Sequence, residues 1–183
     1  MFYSALLEIM KNRRSVRAFS TEPISRDDVM ELLEGAILAP SGSNIQPWFF
    51  GIIDDLKQLE RIFSFSPGLG GKPPCIIVVC SDRKLAYEKG NKLGCDEMAI
   101  MDISMASENI ILLATERGWG TCAVKSFNSA AVKQILNLPE HISPDLIITL
   151  GHPKKQHKGP PKKQLKDVVF CNHWEGNLDE RKI

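Results

Sequence analysis

The sequence predicts an α+β fold, and three features of the chain lead to this prediction. Segments with helical apolar periodicity are mixed with segments that resemble strands. The strand-like segments are few, and no pair of them forms an obvious hairpin. Residues 75–80 and 145–150 are apolar enough to be strands buried on both faces. Helices packed on a mixed central sheet account for this combination.

The first part of the chain contains two predicted helices and two predicted strands. Residues 4–12 have the amphipathic pattern of a short helix. Ser25, followed three residues later by Asp28, resembles a capping box, and an apolar stripe continues the second helix from there. Residues 48–53 are aromatic and β-branched, and residues 75–80 (CIIVVC) form a continuous apolar run. We therefore predict a strand at each of these two places.

The second part of the chain begins with the longest periodic segment, residues 96–117. Its apolar residues are distributed around most of the helix, which predicts a helix buried on most sides and ended by Gly118. Three further elements are expected after it. They are a strand at 121–124, a short helix at 129–137 and a buried strand at 145–150.

The composition is that of an ordinary globular protein. The 183 residues are 43% hydrophobic and 25% charged, with a formal net charge of +1. These values argue against a disordered or fibrous chain, and the balanced charge does not indicate a nucleic-acid partner. We predict a single domain over residues 1–183. Residues 152–183 are rich in Lys, Pro and His, and we expect an extended C-terminal segment that is either loose or packed on a partner subunit.

Cysteine usage and the N-terminus indicate the compartment. The five cysteines form no Cys-x-x-Cys pair, which argues against a disulfide framework and a zinc ribbon, and no His/Cys/Asp spacing predicts a metal site. Glu8 interrupts the first apolar stretch, unlike a secretory signal. No apolar run approaches the roughly 20 residues that cross a bilayer. We expect a soluble, cytoplasmic protein without a membrane partner.

A cluster of three arginines and one serine is the first group with evident chemistry. Arg13, Arg14, Ser15 and Arg17 lie within five residues, just after the first predicted helix. Guanidinium groups donate hydrogen bonds in a planar fork that matches phosphate oxygens, so these side chains can converge on a phosphate. A solvated basic face or a nucleic-acid contact is the alternative from these residues alone.

The second group is a loop of small polar residues between the second helix and the first strand. Residues 39–48 read Ala-Pro-Ser-Gly-Ser-Asn-Ile-Gln-Pro-Trp, a run that favours turns. Short hydroxyls and amides provide many hydrogen-bonding groups without bulk, which suits a flat heteroaromatic ring with polar edges. An ordinary Pro/Ser/Gly loop is the alternative for this segment in isolation.

The two segments together resemble the N-terminal signature of the nitroreductase family of FMN proteins. The resemblance continues through Gly-Trp-Gly-Thr after the long helix, Leu-Gly-His-Pro after the strand at 145–150, and Lys-Lys-Gln-Leu-Lys-Asp-Val-Val near the end. It implies an α/β/α sandwich with a mixed, mainly antiparallel central sheet, which forms an intertwined homodimer with FMN at the subunit interface. It also implies that the FMN phosphate and ribityl chain are contacted by Arg13, Arg14, Ser15 and Arg17. The ring would be lined by residues of the other subunit, namely Pro40, Ser41, Gly42 and Asn44.

The resemblance implies two further contacts with FMN. The backbone around Val124, Lys125 and Ser126 would face the N5 and O4 edge of the flavin, where a donor stabilises negative charge. Lys162 stands where the family often has a late phosphate-binding arginine, and Lys163 is the alternative. Longer relatives contact the pyrimidine edge through a polar segment that has no clear match here, so no residue is assigned to that edge.

The function implied by the resemblance is an FMN-dependent oxidoreductase. It would use NADH or NADPH to reduce nitroaromatics, quinones or related small molecules by a ping-pong mechanism, with the chemistry on the flavin and no dedicated catalytic side chain. The alternatives are a flavin storage or sensor protein without significant turnover, a specialised flavin reaction such as dehalogenation, and a nucleic-acid-binding module.

Several conspicuous residues have simpler structural explanations. Trp48 begins a predicted strand and is expected in the core. Cys122 is expected to serve packing, and His152 to lie in the turn after a buried strand. Met98, Met101 and Met105, at helical spacing, are expected in the core or in a dimer interface.

Overall fold

The computed structural model describes residues 4–155 and 159–174 of the chain. The first two helices begin where the sequence provides caps. Helix α1 (Ala5–Asn12) follows Ser4, and helix α2 (Arg26–Ala36) follows Ser25. The Ser25 hydroxyl accepts the N–H of Asp28 at 3.1 Å, which is the first bond of the predicted capping box, and it donates to the Asp28 carboxylate at 2.6 Å.

Two helices were not predicted from the sequence. Helix α3 (Leu56–Ser64) is capped by Asp55, and helix α4 (Arg83–Leu93) is capped by Asp82. Helix α4 is largely polar and buries only Ala86, whereas α3 buries Leu59 and Ile62, which are three residues apart on one side of the helix. The capping aspartates were the available signal, because Asp is a preferred N-cap residue.

The long helix is shorter than predicted at its N-terminus. Helix α5 (Ala99–Glu116) follows a π-helical turn over Gly94–Met98. The helical stretch Arg83–Glu116 is long and apolar enough to cross a membrane by length and composition, although 44% of its most apolar window is buried inside the fold. Its apolar character is explained by packing against the sheet, and Asn91 interrupts the stretch with a φ of 52°. Helix α6 (Ser129–Ile135) matches the predicted short helix.

Four strands form one sheet in the order β1-β2-β4-β3, with every pair antiparallel. All four were predicted, and their bounds are Trp48–Ile53, Cys75–Asp82, Gly120–Val124 and Ile142–Gly151 for β1 to β4. The parallel component of the predicted mixed sheet is a single bridge, in which Ser15 pairs with Thr121 at the free edge of β3. The N-terminal segment therefore extends the sheet beyond β3.

The sheet is buried on both faces, which confirms the predicted α/β/α sandwich. Helices α2 and α5 cover one face, where Ile77 and Ile148 belong to a core cluster with residues of both helices. Helices α3 and α6 cover the other face, packing on Ile76 and Ile147. All four isoleucines are fully buried, and each such side chain contributes about 1.5–3 kcal/mol by leaving water. The two apolar strands predicted from sequence, β2 and β4, are the central pair.

Candidate functional site

The arginine segment, defined here as residues 13–17, is built onto the edge of the sheet. The N–H of Val16 donates to the carbonyl of Thr121 at 2.8 Å, and the Val16 side chain is buried. Ser15 and Arg17, on either side of it, are exposed. Because alternate residues of an extended segment point to the same side, the segment presents Ser15 and Arg17 together on its outer face.

Arg14 is used differently from the other arginines. Its Nη1 donates to the carbonyls of Lys11 at 2.5 Å and Arg13 at 2.7 Å, at the C-terminal end of α1. A cation at this end stabilises the unpaired carbonyls of a helix. Gly159 packs on the same side chain, since a Cβ added there would lie 2.8 Å from Arg14 Cδ. In this chain Arg14 joins α1 to the start of the C-terminal segment.

A glycine segment, residues 67–71, lies directly against the arginine segment. A Cβ added at Gly70 would lie 3.3 Å from the Cβ and Cδ atoms of Arg17. A Cβ at Gly71, whose φ is 73°, would collide with the Arg17 carbonyl. The N–H of Gly68 donates to the carbonyl of Ser126 at 3.0 Å. The absence of side chains at these glycines lets the backbone reach both Arg17 and Ser126.

No residue of the glycine segment was predicted to belong to the site. The available signal was the density of glycines between two predicted strands, because glycine permits a close approach of two backbones. The sequence pattern alone did not reveal which backbone would approach. That depends on the register of β3 beside Ser15.

The turn after β3 is the third part of this region. Val124 ends the strand and is buried, whereas Lys125 and Ser126 are exposed. The Lys125 ammonium lies 5.5 Å from the centre of the Phe127 ring. Within residues 4–155 and 159–174, no acceptor is found for the backbone N–H groups of Lys125 and Ser126. Two free N–H groups beside an arginine make this turn suitable for an anionic or polar edge of a ligand.

The polar loop, defined as residues 40–46, has an unusual backbone. Ser43, Asn44 and Gln46 all have φ values between 51° and 55°, in the left-handed region. Such a conformation costs roughly 1–2 kcal/mol for a residue with a side chain, and less for Asn. Ser41 Oγ accepts the N–H of Gln46 at 3.1 Å, and Asn44 Oδ1 accepts from Gln46 Nε2 at 3.0 Å. Local hydrogen bonds therefore hold the loop in a conformation that its residues disfavour.

One contact ties the polar loop to the long helix. The N–H of Gly42 donates to Asp102 Oδ1 at 3.0 Å. Asp102 is 2% exposed, and its Oδ2 has no hydrogen-bond partner among the residues that the structure describes. Burial raises the pKa of this carboxyl, while the Gly42 N–H opposes the rise by stabilising the charged form. Sequence analysis did not single out Asp102, since one acidic residue in an apolar helix has no distinctive spacing.

The polar loop and the arginine segment are far apart within one chain. The loop leads into Trp48, which lies level with Ser81 of β2 and Ser143 of β4. The arginine segment pairs beside Gly120, which lies opposite Gly151 at the other end of β4. Four strand spacings of about 4.8 Å, from β1 to the arginine segment beyond β3, and a length of about 26 Å along β4 separate the two places, so they lie about 30 Å apart at diagonal corners of the sheet.

Residues 160–170 and 172–174 of the C-terminal segment are exposed. Lys162 and Lys163 are exposed, and within the described part of the chain neither forms an ion pair or a hydrogen bond. Large apolar side chains follow them, and Leu165 and Trp174 are 75% and 82% exposed. The segment thus starts beside Arg14, and its apolar residues lie outside the core of its own chain.

Three residues with structural explanations lie as predicted. Trp48 is buried in the core cluster, and Cys122 is buried in β3. His152 lies directly after β4 and meets Trp119 edge to face, with 6.3 Å between ring centres. Met101 and Met105 were expected in the core or in a dimer interface. Their side chains on α5 are 58% and 38% exposed, so they do not lie in the core, and the dimer interface stays a prediction.

Comparison with known proteins identifies the family. The sequence model of the Nitroreductase family matches residues 10–69 and 65–152. A candidate NADH dehydrogenase/NAD(P)H nitroreductase of Archaeoglobus fulgidus is 35% identical over 157 residues, which cover 82% of this chain and 86% of that protein.

Two solved structures share the fold. A candidate NADH dehydrogenase/NAD(P)H nitroreductase from Parabacteroides distasonis aligns with a TM-score of 0.82 at 27% identity, covering 94% of this chain and 100% of its own. A nitroreductase candidate from Exiguobacterium sibiricum, solved in complex with FMN, aligns with a TM-score of 0.80 at 19% identity, covering 92% and 98%. With the arginine segment and the polar loop in the places described, these matches show that the chain belongs to the nitroreductase family.

Proposed function

We propose that this protein is an FMN-dependent oxidoreductase that uses NAD(P)H to reduce nitroaromatics, quinones or related organic acceptors by a ping-pong mechanism. Family membership and the names of its relatives support an NAD(P)H oxidoreductase. The observation that carries the proposal is the juxtaposition of Arg17, the glycine segment and the turn after β3. The glycine segment contacts Arg17 through Gly70 and Gly71 and contacts Ser126 through Gly68, so an exposed arginine and a turn with two free backbone donors flank the same five residues.

The donor set fits the phosphate end of FMN. Within the described part of the chain, neither Arg13 nor Arg17 forms an ion pair, so both guanidiniums are free for an anion. Ser15 is exposed on the same face as Arg17 and adds a hydroxyl donor. Charge-assisted bonds of this kind are about twice as strong as neutral ones. Arg14 would act indirectly, because its hydrogen bonds fix the C-terminal end of α1 next to the arginine segment. Lys162 would add a positive charge from the C-terminal segment.

The ring end of FMN requires a second copy of the chain. Pro40, Ser41, Gly42 and Asn44 would line the ring, but they lie about 30 Å from the arginine segment of their own subunit. A homodimer that brings the polar loop of one subunit to the arginine segment of the other resolves this separation. The exposed apolar surface of α5, with Met101 and Met105, provides part of the surface that such a dimer would bury.

The C-terminal segment is the other candidate part of the interface. Its large apolar side chains are exposed in the single chain, and a soluble protein rarely leaves such a group uncovered. The start of the predicted segment 152–183 stays on its own subunit, because the N–H of Ser20 donates to the His152 carbonyl and the N–H of Lys154 donates to the Ala18 carbonyl. We propose that the exposed residues 160–174 extend over the partner subunit and bring Lys162 near a phosphate site. Covering the apolar side chains would supply binding free energy, while the lysine supplies charge.

Bound FMN would supply two-electron transfer between NAD(P)H and an organic acceptor that occupy the same site in turn. The chain's own residues position the groups and tune their charge. The free N–H groups of Lys125 and Ser126 would donate to the polar edge of the ring, where negative charge accumulates on reduction. No side chain is required as an acid or base in this scheme. The small-molecule substrates and the family membership accord with a cytoplasmic enzyme.

Spectroscopy of the purified protein tests this proposal. We expect a yellow dimer with flavin absorbance that is bleached anaerobically by NADH or NADPH and recovers on addition of a quinone or nitroaromatic. A protein that takes up no FMN would contradict the cofactor assignment. Bound FMN that neither nicotinamide reduces would instead indicate storage, sensing or a specialised reaction, and full occupancy in a stable monomer would contradict the two-subunit site.

A further inference from the structure

We infer that Asp102 is a positioning residue for FMN: its carboxylate fixes the Gly42 N–H and thereby holds the ring-lining loop in its binding conformation. This inference rests on the proposed function, because it concerns the same site. It adds a residue that touches neither the phosphate group nor the ring. Three features support this role: the contact between Gly42 and Asp102, the burial of Asp102, and the left-handed backbone of the polar loop.

Gly42 sits on the start of α5. Its N–H meets Asp102 Oδ1 at 3.0 Å, and a Cβ added at Gly42 would collide with the end of the Met98 side chain. Met98 and Asp102 are four residues apart and lie on the same side of the helical stretch. The loop is therefore seated on one turn of helix by one hydrogen bond and one close packing contact.

The burial of the Asp102 carboxylate costs free energy that its hydrogen bonds compensate only in part. A buried acid loses hydration and needs hydrogen bonds to compensate, whereas Asp102 is 2% exposed with one partner. Its neighbours on the buried side of α5 include Ala99, Ile103 and Ala106, so an apolar residue would suit packing alone. Within the described residues, the Gly42 N–H is the one donor that hydrogen-bonds to the Asp102 carboxylate.

The backbone after Gly42 explains why a fixed point is needed. Ser43 and Asn44 have left-handed φ values of 51° and 55°. Each of these conformations is disfavoured in a free chain, so an untethered loop would spend much of its time elsewhere. Ser41 lies two residues before Ser43, and Asn44 is itself one of the two left-handed residues; both belong to the proposed ring-lining group. Releasing Gly42 would therefore disperse the groups that contact the ring.

Substitution of Asp102 separates this role from a structural one. Asp102→Leu fills the space but has no acceptor, and Asp102→Asn keeps an oxygen for the Gly42 N–H. We expect Asp102→Leu to weaken FMN binding by about 10-fold or more, because the hydrogen bond that fixes the Gly42 N–H is lost. Asp102→Asn should stay within about threefold of the wild type. The melting temperature of the leucine variant should be equal or higher, since a buried acid is removed.

Hydrogen exchange at the Gly42 amide gives a readout that does not depend on FMN. In the apo dimer, we expect Asp102→Leu to accelerate exchange at Gly42 by about 10-fold or more relative to wild type, and Asp102→Asn to restore protection. Ser107→Ala is the matched control, because Ser107 is buried on the same helix and donates to Ile103 instead of the loop. It should change neither exchange at Gly42 nor FMN affinity.

The two readouts distinguish failure of this inference from failure of the proposed function. Wild-type protein that binds no FMN overturns the proposed function and with it the assigned purpose of Asp102, although exchange can still detect the tether. Unchanged exchange at Gly42 in Asp102→Leu overturns the tether itself. Faster exchange with unchanged FMN affinity overturns the positioning role, and an equal effect of Ser107→Ala assigns the result to general loosening of α5.

Discussion

The arginine segment and the polar loop are held in place by different means. The arginine segment pairs with the edge of β3 through Val16 and Thr121, and the glycine segment packs against it. The polar loop has no strand beside it at Gly42 and depends on the Asp102 carboxylate and bonds among its own residues. The comparison teaches that the proposed phosphate end of the site is supported by the sheet, whereas the proposed ring-lining end is supported by one buried side chain and by hydrogen bonds within the loop.

The largest expected effect is at the charged end. Replacing Arg13 and Arg17 together by alanine should weaken FMN binding by at least about 100-fold, because two charge-assisted contacts are lost. The fold should persist, since neither side chain forms an ion pair within the described residues. Fluorescence titration of the apoprotein measures the affinity. Arg61→Ala, at an exposed position on α3, is the control, and unchanged FMN affinity in the double variant would refute the phosphate assignment.

Co-expression of two defective chains sharpens the comparison. One chain carries Asp102→Leu and the other carries Arg13→Ala with Arg17→Ala, with different affinity tags. If each FMN site takes its arginines from one subunit and its polar loop from the other, the heterodimer contains one intact site. We expect about half the wild-type FMN occupancy with wild-type affinity. A heterodimer that binds as poorly as its defective parents would place both segments of a site in the same subunit.

The next largest effect is expected at Gly71, which packs against the Arg17 backbone. Gly71→Ala introduces a left-handed alanine whose Cβ collides with the Arg17 backbone, so we expect a loss of about 2–4 kcal/mol in the free energy of unfolding and weaker FMN binding. Gly118→Ala is the matched control, because Gly118 has a φ of 75° and open space around its Cβ position. It should cost about 1 kcal/mol and leave FMN affinity unchanged. Equal losses from urea unfolding would show that the contact with Arg17 is unimportant.

The pH dependence of stability tests the burial of Asp102. Because burial raises the pKa of Asp102 in the folded state, its favourable contribution is present below the unfolded pKa and is lost as pH rises through the folded pKa. Asp102→Asn removes this titration, so its stability relative to wild type should increase as the pH rises from about 4. Thermal unfolding across that range measures the trend. Ser107→Ala should keep the wild-type slope, and parallel curves for Asp102→Asn would show that this carboxyl does not titrate abnormally.

The smallest effect concerns the strain in the polar loop. Ser43→Gly should raise the free energy of unfolding by up to about 1 kcal/mol, since glycine adopts a φ of 51° without steric cost. Ser104→Gly, on the exposed side of α5, should lower it by about 0.5–1 kcal/mol, as glycine does inside a helix. Urea unfolding compares the two. A loss at Ser43 as large as that at Ser104 would mean that the loop stores no strain.

Much of the fold was predictable because local patterns and tertiary packing agree. The apolar runs of β2 and β4 predicted strands buried on both faces, and they form the centre of the sheet. The Ser25 capping box predicted the start of α2. Helix α4 was missed because it is largely polar and buries only Ala86, so its sequence carries no apolar stripe. Helix α3 was missed although Leu59 and Ile62 have helical spacing and Asp55 caps it.

The candidate site was predictable in its residue types and not in its arrangement. The arginine segment and the polar loop were recognisable because phosphate and a flat polar ring demand particular side chains at short spacing. The glycine segment was not assigned, since its role depends on which backbone lies beside it. Asp102 was not assigned either, because a single acid acquires meaning only through its burial and its contact with Gly42.

By itself, the sequence determined the chemical inventory of this protein: the helical and strand periodicities, the caps, the arginines and the small polar loop. These are local properties, decided by residues within a few positions of each other. Tertiary structure alone decided that the two segments lie at diagonal corners of one sheet, and that a buried carboxylate and a run of glycines support them. The reason is that distances between segments depend on strand order and register, which arise from packing of the whole chain.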